Sequence, residues 1–168
     1  MKPAATYLEL RDAITRISPI EHGLVPTAEL PNAWGALVDV GLPAGPVTIV
    51  AIADGTTSLY LGNGGATVGV GTVPSIRELT ASLLRAVDAA VRILPPTWEL
   101  PVPPTGWLQV VALTFEGMLL GRAAIPEVEG PAHPLSDIWR RSGELATAVS
   151  ALGSTGPPDA GGTSAIRR

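Results

Sequence analysis

The chain has no cysteine and few charged residues, and each shortage excludes a class of protein. Without cysteine there is no disulfide, no thiolate metal ligand and no cysteine nucleophile. Charged residues make up only 15% of the 168 residues and the formal net charge is −4, so no positive field attracts a phosphate backbone. Hydrophobic residues make up 46%, which is typical of a globular protein. Nucleic acid is therefore not an expected partner.

Histidines are also scarce, and no stretch is apolar enough to cross a bilayer. His22 and His133 are the only histidines, and neither stands at metal-ligand spacing. His133 is expected to close a loop by hydrogen bonding. The uncharged stretch from Gly55 to Ile76 is too rich in glycine and threonine to cross a bilayer, and Glu9 arrives before a signal segment can form. We expect a cytoplasmic protein without membrane contact or cofactor.

What is present is centred on the stretch from Pro46 to Gly71. Val47 to Ala53 is an unbroken apolar run, which predicts a strand buried on both faces. Asp54-Gly55 favours a two-residue turn of type I′, because glycine tolerates positive φ. Thr56 to Leu61 should then return antiparallel. Trp34 to Leu42 alternates only in part and allows an extra strand with Asp39 near its end.

The rest of the chain divides into helices, a hairpin and loops. Ala4 to Ile17 has the spacing of an amphipathic helix, and Ser75 to Leu94 predicts a second, opened by a capping box between Ser75 and Glu78. Five prolines between Pro95 and Gly106 indicate an extended crossing. The other predicted elements are a hairpin of Trp107 to Phe115 with Met118 to Ala124, a helix from Ser136 to Gly153, and loops over 19–32 and 125–133.

This order, α-β-β(-β)-α-β-β-α, predicts an α+β fold. Because both hairpins contain strands with no polar face, helices must cover the sheet on both sides. We expect α/β/α layers around a mainly antiparallel sheet of four or five strands. Residues 1–152 should form one globular domain. Residues 153–168 are dominated by glycine, proline, serine and threonine and are predicted to be a disordered tail.

Two resemblances accompany this interpretation. The order of elements resembles the roadblock/longin group of profilin-like domains, which implies a dimerising scaffold or a regulator of small GTPases. The string TIVAIADGTTSLYLGNGG, a long helix, VVALTFEG and HPLS are together similar to an uncharacterised family of small bacterial proteins. That second resemblance covers roughly Trp34 to Leu152 and implies no activity.

The glycine-rich loop offers a candidate ligand site. Gly62, Asn63, Gly64 and Gly65 precede the second helix, and Arg77 is the nearest cation. Such a loop can cradle phosphate oxygens, but it has neither the Gly-Lys-Ser/Thr ending of a P-loop nor the glycine spacing of a dinucleotide site. The favoured interpretation is that the glycines let a strand bend and a helix pack closely.

Further polar residues can be added to this loop to form an enzyme site. Asp39 and His133 are the candidates, and Asp39 with Asp54 is a conceivable carboxylate pair. The role of Asp54 as a turn residue is the favoured explanation. No nucleophile elbow or other catalytic constellation is visible.

Apolar residues at the edges of elements offer candidate partner contacts. Trp34, Trp98 and Trp107 can anchor a partner or cap the core of their own chain. Leu84 and Val91 widen the apolar face of the second helix, which suggests that two copies pair there. The alternative is that a terminal helix or the crossing from Pro95 to Pro104 covers that face.

Two functions therefore stand as hypotheses. The first is a non-catalytic protein-binding or regulatory module, roadblock-like and homodimeric, with a small GTPase as a candidate partner. The second is a small nucleotide- or ligand-binding protein, or an enzyme, that uses the loop from Gly62 to Gly71.

Overall fold

The structure, a computed structural model, describes residues 2–153. These residues form four helices and seven strands, with single 3-10 turns at Val70–Thr72 and Val91–Ile93. The helices are α1 (Ala5–Thr15), α2 (Pro74–Ala90), α3 (Ile125–Val128) and α4 (Ser136–Gly153). The strands are β1 (Ala33–Leu42), β2 (Gly45–Ile52), β3 (Thr57–Leu61), β4 (Ala66–Thr67), β5 (Pro96–Thr97), β6 (Trp107–Thr114) and β7 (Gly117–Ala124).

All seven strands join one antiparallel sheet in the order β4-β3-β2-β1-β6-β7-β5. The expectation of a mixed fold with an antiparallel sheet is confirmed. The expected count of four or five strands, and with it the expected order of elements, is wrong. The glycine-rich loop returns the chain as β4, and the proline-rich crossing places β5 beside β7. These additions are two residues long and too short to show a period.

Strand β1, whose sequence alternates only in part, is the central strand and the longest of the sheet. It pairs with β2 on one edge and β6 on the other, and its side chains enter the apolar clusters on both faces of the sheet. Leu37 faces one apolar cluster, and Ala36 and Val38 face the other. A strand covered on both faces needs no alternation of polar and apolar residues, which explains its weak pattern.

Between β2 and β3 the turn has three residues and not two. The Ile52 N–H donates to the Thr56 carbonyl and the Gly55 N–H to the Ile52 carbonyl, each at 2.9 Å. Gly55 takes a φ of 95°, as expected of it, but as the bulge residue that closes a three-residue loop. Asp54 accepts a hydrogen bond from the Thr56 N–H at 2.7 Å, which confirms its turn role.

Helices α2 and α4 cover one face of the sheet. Their apolar residues form a single cluster with the inward side chains of β1, β2 and β6. Helix α1 covers the other face, together with Leu100 and Val102 of the proline-rich crossing. Helix α4 packs beside α2 on the same face of the sheet, while the crossing lies on the opposite face. Leu84 of α2 borders a cavity whose other walls include Leu30 and Ala33.

The start of α2 corrects one local prediction. The helix begins at Pro74 after Val73, and no side chain caps its first turn. Proline favours the first helical position because its φ is already helical and its missing N–H is not needed there. Ser75 is therefore inside the helix, and the capping box with Glu78 is wrong. At the other end of the chain, Gly153 belongs to α4, and the predicted tail from Ser154 lies outside the described residues.

Candidate functional site

A row of polar side chains crosses the sheet on the face covered by α1. The register pairs one residue of each of five neighbouring strands directly opposite the next. Residues that face each other in this way share one side of the sheet. From β3 to β7 the row consists of Tyr60, Thr48, Asp39, Gln109 and Arg122.

Asp39 is the centre of the row and is fully buried. Its carboxylate accepts hydrogen bonds from Thr48 Oγ1 at 2.6 Å, from Gln109 Nε2 at 2.8 Å and from Arg11 Nε at 3.2 Å. Arg11 Nη2 also forms an ion pair with Asp39 Oδ2. Tyr7, one helical turn before Arg11, shares a hydrogen bond of 2.8 Å with the Thr48 hydroxyl. Helix α1 is therefore joined to the sheet by two polar residues of its buried face.

The same guanidinium fixes the proline-rich crossing. Arg11 Nη2 donates to the Pro101 carbonyl at 3.0 Å, and Gln109 Nε2 donates to that carbonyl at 2.8 Å. Gln109 Oε1 in turn accepts from Arg122 Nε at 3.1 Å. Every buried side-chain nitrogen and oxygen of residues 2–153 has a hydrogen-bond partner. This cluster consequently holds α1, the sheet and the proline-rich crossing together. None of its buried donors or acceptors is left free to bind a ligand.

The surroundings of Tyr7 in this cluster change the pKa of its hydroxyl. Burial, and then the nearby charge of Asp39, raise the pKa of Tyr7 to about 12. The hydrogen bond to Thr48 and the positive charge of Arg11, whose Cζ is 5.5 Å from the ring centroid, act in the opposite direction. Tyr7 is therefore a neutral hydrogen-bonding group at physiological pH.

The sequence interpretation missed this cluster. Arg11 falls four residues after Tyr7, on the same side of the helix, and is only 1% exposed. Asp39 interrupts an apolar strand at an inward position. A charged residue on the apolar face of a helix, combined with an opposite charge inside an apolar strand, is the signal that predicts such a pair.

The predicted ligand loop and its cation lie at opposite ends of β3. Gly62 to Gly65 form the turn between β3 and β4, where the Ala4 N–H donates to the Gly62 carbonyl at 2.8 Å. Arg77 lies over the turn at the other end, with its Cζ 3.1 Å from the position of a Cβ on Gly55. Five residues of strand separate the two, roughly 15 Å. The arrangement of Gly62, Asn63, Gly64 and Gly65 around Arg77 is therefore wrong.

The other polar candidates, Asp39, His133 and Asp54, also lie apart from one another. Asp39 lies on the α1 face of the sheet, whereas His133 precedes α4 on the other face. His133 Nδ1 accepts a hydrogen bond from the Leu135 N–H at 3.1 Å, which confirms its loop-closing role. Asp54 is at the turn after β2, several residues beyond the level of Asp39. Among residues 2–153, no three acidic or histidine side chains form a group that could hold a metal ion.

Two of the four predicted partner residues line one groove. Trp98 is 88% exposed, and with Val91 it borders a cavity of about 410 Å³ beside the turn between β6 and β7. Phe115 and Met118 contribute further apolar wall, and Glu116 lies at the rim. We call this cavity, with the Trp98 side chain, the Trp98 groove. The remaining lining residues are Pro26, Pro31, Asn32, Pro96, Thr114, Gly117 and Leu119.

The other two predicted partner residues are inside the protein. Leu84 is 1% exposed and belongs to the cluster beneath α2 and α4. Trp34 is 4% exposed, and its indole N–H donates to the Thr114 carbonyl at 3.0 Å. As accessible contact residues both are wrong, because Leu84 is enclosed in this cluster and Trp34 caps its own core. Of the two roles predicted for Trp34, the structure shows the one in which it caps the core of its own chain.

Asp88 holds the base of the Trp98 groove in place. Its carboxylate accepts hydrogen bonds from the backbone N–H groups of Asn32 at 2.8 Å and Ala33 at 2.7 Å. It also accepts one from Asn32 Nδ2 at 3.1 Å. The end of α2 is therefore tied to the start of β1, and Asn32 is fixed where it lines the groove.

A second cavity adjoins the same edge of the sheet. It measures about 560 Å³ and is bordered by Leu94, Leu120, Leu135 and His133. Ile93, which is 57% exposed, lines this cavity and is two residues after Val91 of the Trp98 groove. The edge that carries β5 thus presents more than one large apolar side chain to solvent.

Comparison with known proteins identifies no relative, since no family model, curated protein or solved structure matches the chain. Over the described part of the chain, no helix is long and apolar enough to cross a membrane.

Proposed function

We propose that this protein is a non-catalytic binding module that holds an apolar segment of another protein in the Trp98 groove. One observation carries the proposal: an almost fully exposed tryptophan stands beside an apolar cavity. Tryptophan is among the residues that most often dominate binding energy at interfaces, and it does so when a partner desolvates it. Tryptophan is highly buried on average, so an indole that is 88% exposed is unusual.

The residues that line the groove favour the binding of a short extended segment. Pro26, Pro31 and Pro96 form part of its wall, and proline has little conformational freedom to lose on binding. Asp88 fixes Asn32, which offers an amide at the floor of the groove. A mostly apolar wall with a few fixed polar groups is typical of recognition sites that are already formed before binding.

The geometry does not favour the alternative of a nucleotide-binding protein or enzyme. The segment from Gly62 to Gly65 is separated from Arg77 by the length of β3, and Asp39 is committed to its buried partners. The proposal retains a regulatory role, although the observed order of strands differs from the roadblock-like order predicted from the sequence. A second copy of the chain and a small GTPase are its proposed partners, and the cytoplasm is its proposed location.

A displayed peptide library tests the proposal. The library is selected against the full chain, and the affinity of the selected peptides is then measured for the wild type, Trp98→Ala and Trp107→Ala. Trp107 is the matched control because it is also partly exposed but does not line the groove. We expect Trp98→Ala to weaken binding by about 30-fold or more, and Trp107→Ala by less than about threefold.

Circular dichroism of each variant verifies that it remains folded. Selection of no peptide, or of peptides that bind Trp98→Ala as tightly as the wild type, would contradict the assignment of the groove.

A further inference from the structure

We infer that the Trp98 groove also receives a second copy of this chain, with the Trp98 side chain of each protomer entering the groove of its partner. The inference rests on the proposed function, because it uses the same surface and names one occupant of it. The resulting dimer is isologous: one patch of surface meets the same patch on the other copy.

Self-complementarity is the first argument. A two-fold interface requires that one patch contain both a protruding part and a recess to receive it. The Trp98 groove has both, since the indole is 88% exposed and the cavity beside it has a volume of about 410 Å³. Phe115 and Met118 offer the incoming indole an aromatic face and a thioether, which are both favourable contacts for it.

The charges around the patch suit self-pairing as well. Arg92 and Glu99 each directly follow a lining residue of the groove in the sequence, Val91 and Trp98, and Glu116 is itself a lining residue. All three are exposed. Because both signs are present, a two-fold axis can set Arg92 of each protomer opposite an acidic residue of its partner. A patch of one sign would repel its own copy.

The surface expected for a helix-mediated dimer is already occupied. Leu84 is buried within the protomer, and α4 packs against α2. The apolar surface still available is at the edge that carries β5, where Ile93 and Trp98 project. If apolar contact mediates self-association, we therefore expect it at this edge and not at the middle helix.

The area available sets the strength of the dimer. Each indole buries on the order of 150 to 250 Å². With an equal area of groove wall, two such contacts bury roughly 600 to 1,000 Å², which is below the usual range for stable interfaces. We therefore expect a dissociation constant on the order of micromolar to hundreds of micromolar, and a dimer that a tighter-binding peptide can replace.

Sedimentation velocity of the full chain at about 1 to 500 µM tests this inference over the expected range of affinity. The wild type should shift from monomer to dimer as the concentration rises. Trp98→Ala should have a dissociation constant at least about 100-fold higher, because each dimer loses two central contacts. Trp107→Ala should associate as the wild type does.

The emission of the tryptophans provides a second readout. Trp98 moves from water into an apolar groove on pairing, so the wild-type emission should shift to shorter wavelength over the same concentration range. The shift should be missing in Trp98→Ala and present in Trp107→Ala.

The possible outcomes separate this inference from the proposed function. A wild type that stays monomeric to the highest concentration, or a Trp98→Ala variant that dimerises normally, overturns the inference. Peptides from the library that still depend on Trp98 would then leave the proposed function intact. Peptides that bind at Trp98 and dissociate the wild-type dimer support both.

Discussion

Removing the guanidinium of Arg11 should destabilise the protein severely. In Arg11→Met, a side chain of similar length keeps the apolar packing, but the buried carboxylate of Asp39 loses its cation and Pro101 loses one of its two donors. Breaking a buried ion pair from one side typically costs about 3 to 5 kcal/mol. A domain of this size has a free energy of unfolding of about 5 to 15 kcal/mol, so the loss is a large share of the total.

Two further variants determine whether the cost arises from the unpaired charge. Arg11→Met combined with Asp39→Leu removes both charges, while Gln109 still donates to Pro101 and Thr48 still bonds to Tyr7. The double variant should lose less than the sum of the two single variants, by at least about 2 kcal/mol. Arg16→Met is the matched control on the same helix, because its ion pair with Asp12 is exposed and contributes about 0.5 kcal/mol or less.

Urea unfolding followed by circular dichroism measures all four variants, with the slopes compared to verify that the transitions remain two-state. A loss below about 1 kcal/mol in Arg11→Met, or strictly additive losses in the double variant, would refute the reasoning that the pair is buried and coupled.

Three other predictions concern single contacts. Because burial raises the pKa of Tyr7 from its usual 10 to about 12, the wild type has the full stabilisation below pH 10 and loses it as the pH rises to 12. Tyr7→Phe should cost about 1 kcal/mol at neutral pH and show a shallower loss over that alkaline range in urea titrations. Asp88→Ala leaves two backbone N–H groups without their acceptor and should lower the free energy of unfolding by about 2 kcal/mol or more; an unchanged urea midpoint would contradict this role. Gly55→Val should cost about 1 to 3 kcal/mol, since valine is strained at a φ of 95°. Its control is Gly143→Ala on the exposed side of α4, where helix propensity predicts a gain of about 0.5 to 1 kcal/mol.

The elements that sequence predicts well are those whose signal is local. The run from Val47 to Ala53, the turn residues Asp54 and Gly55 and the apolar spacing of α4 each correspond to an observed element. In each case the determining contacts lie within a few residues or on one repeated face, so composition and period contain the information.

The features that sequence predicted poorly depend on contacts between distant segments. Whether Trp34 and Leu84 reach solvent is decided by residues far away in the sequence, among them Thr114 at the end of β6 for Trp34 and Leu30 for Leu84. The pairing of Arg11 with Asp39 requires that a helix and a strand be superposed in one register. The Trp98 groove was predicted only as separate residues, because its walls come from four different segments.

The buried polar row also has a consequence for the order in which the protein matures. The hydrogen-bond partners of Arg11 lie 28 to 90 residues further along the chain. Gln109, which completes the coordination of Asp39, is 70 residues beyond it. During synthesis the chain emerges from its N-terminus, so α1 exists long before the crossing and β6 are available to it. Helix α1 therefore completes these contacts only after the crossing and β6 have been made, and until then its face with Tyr7 and Arg11 lacks its partners in those segments.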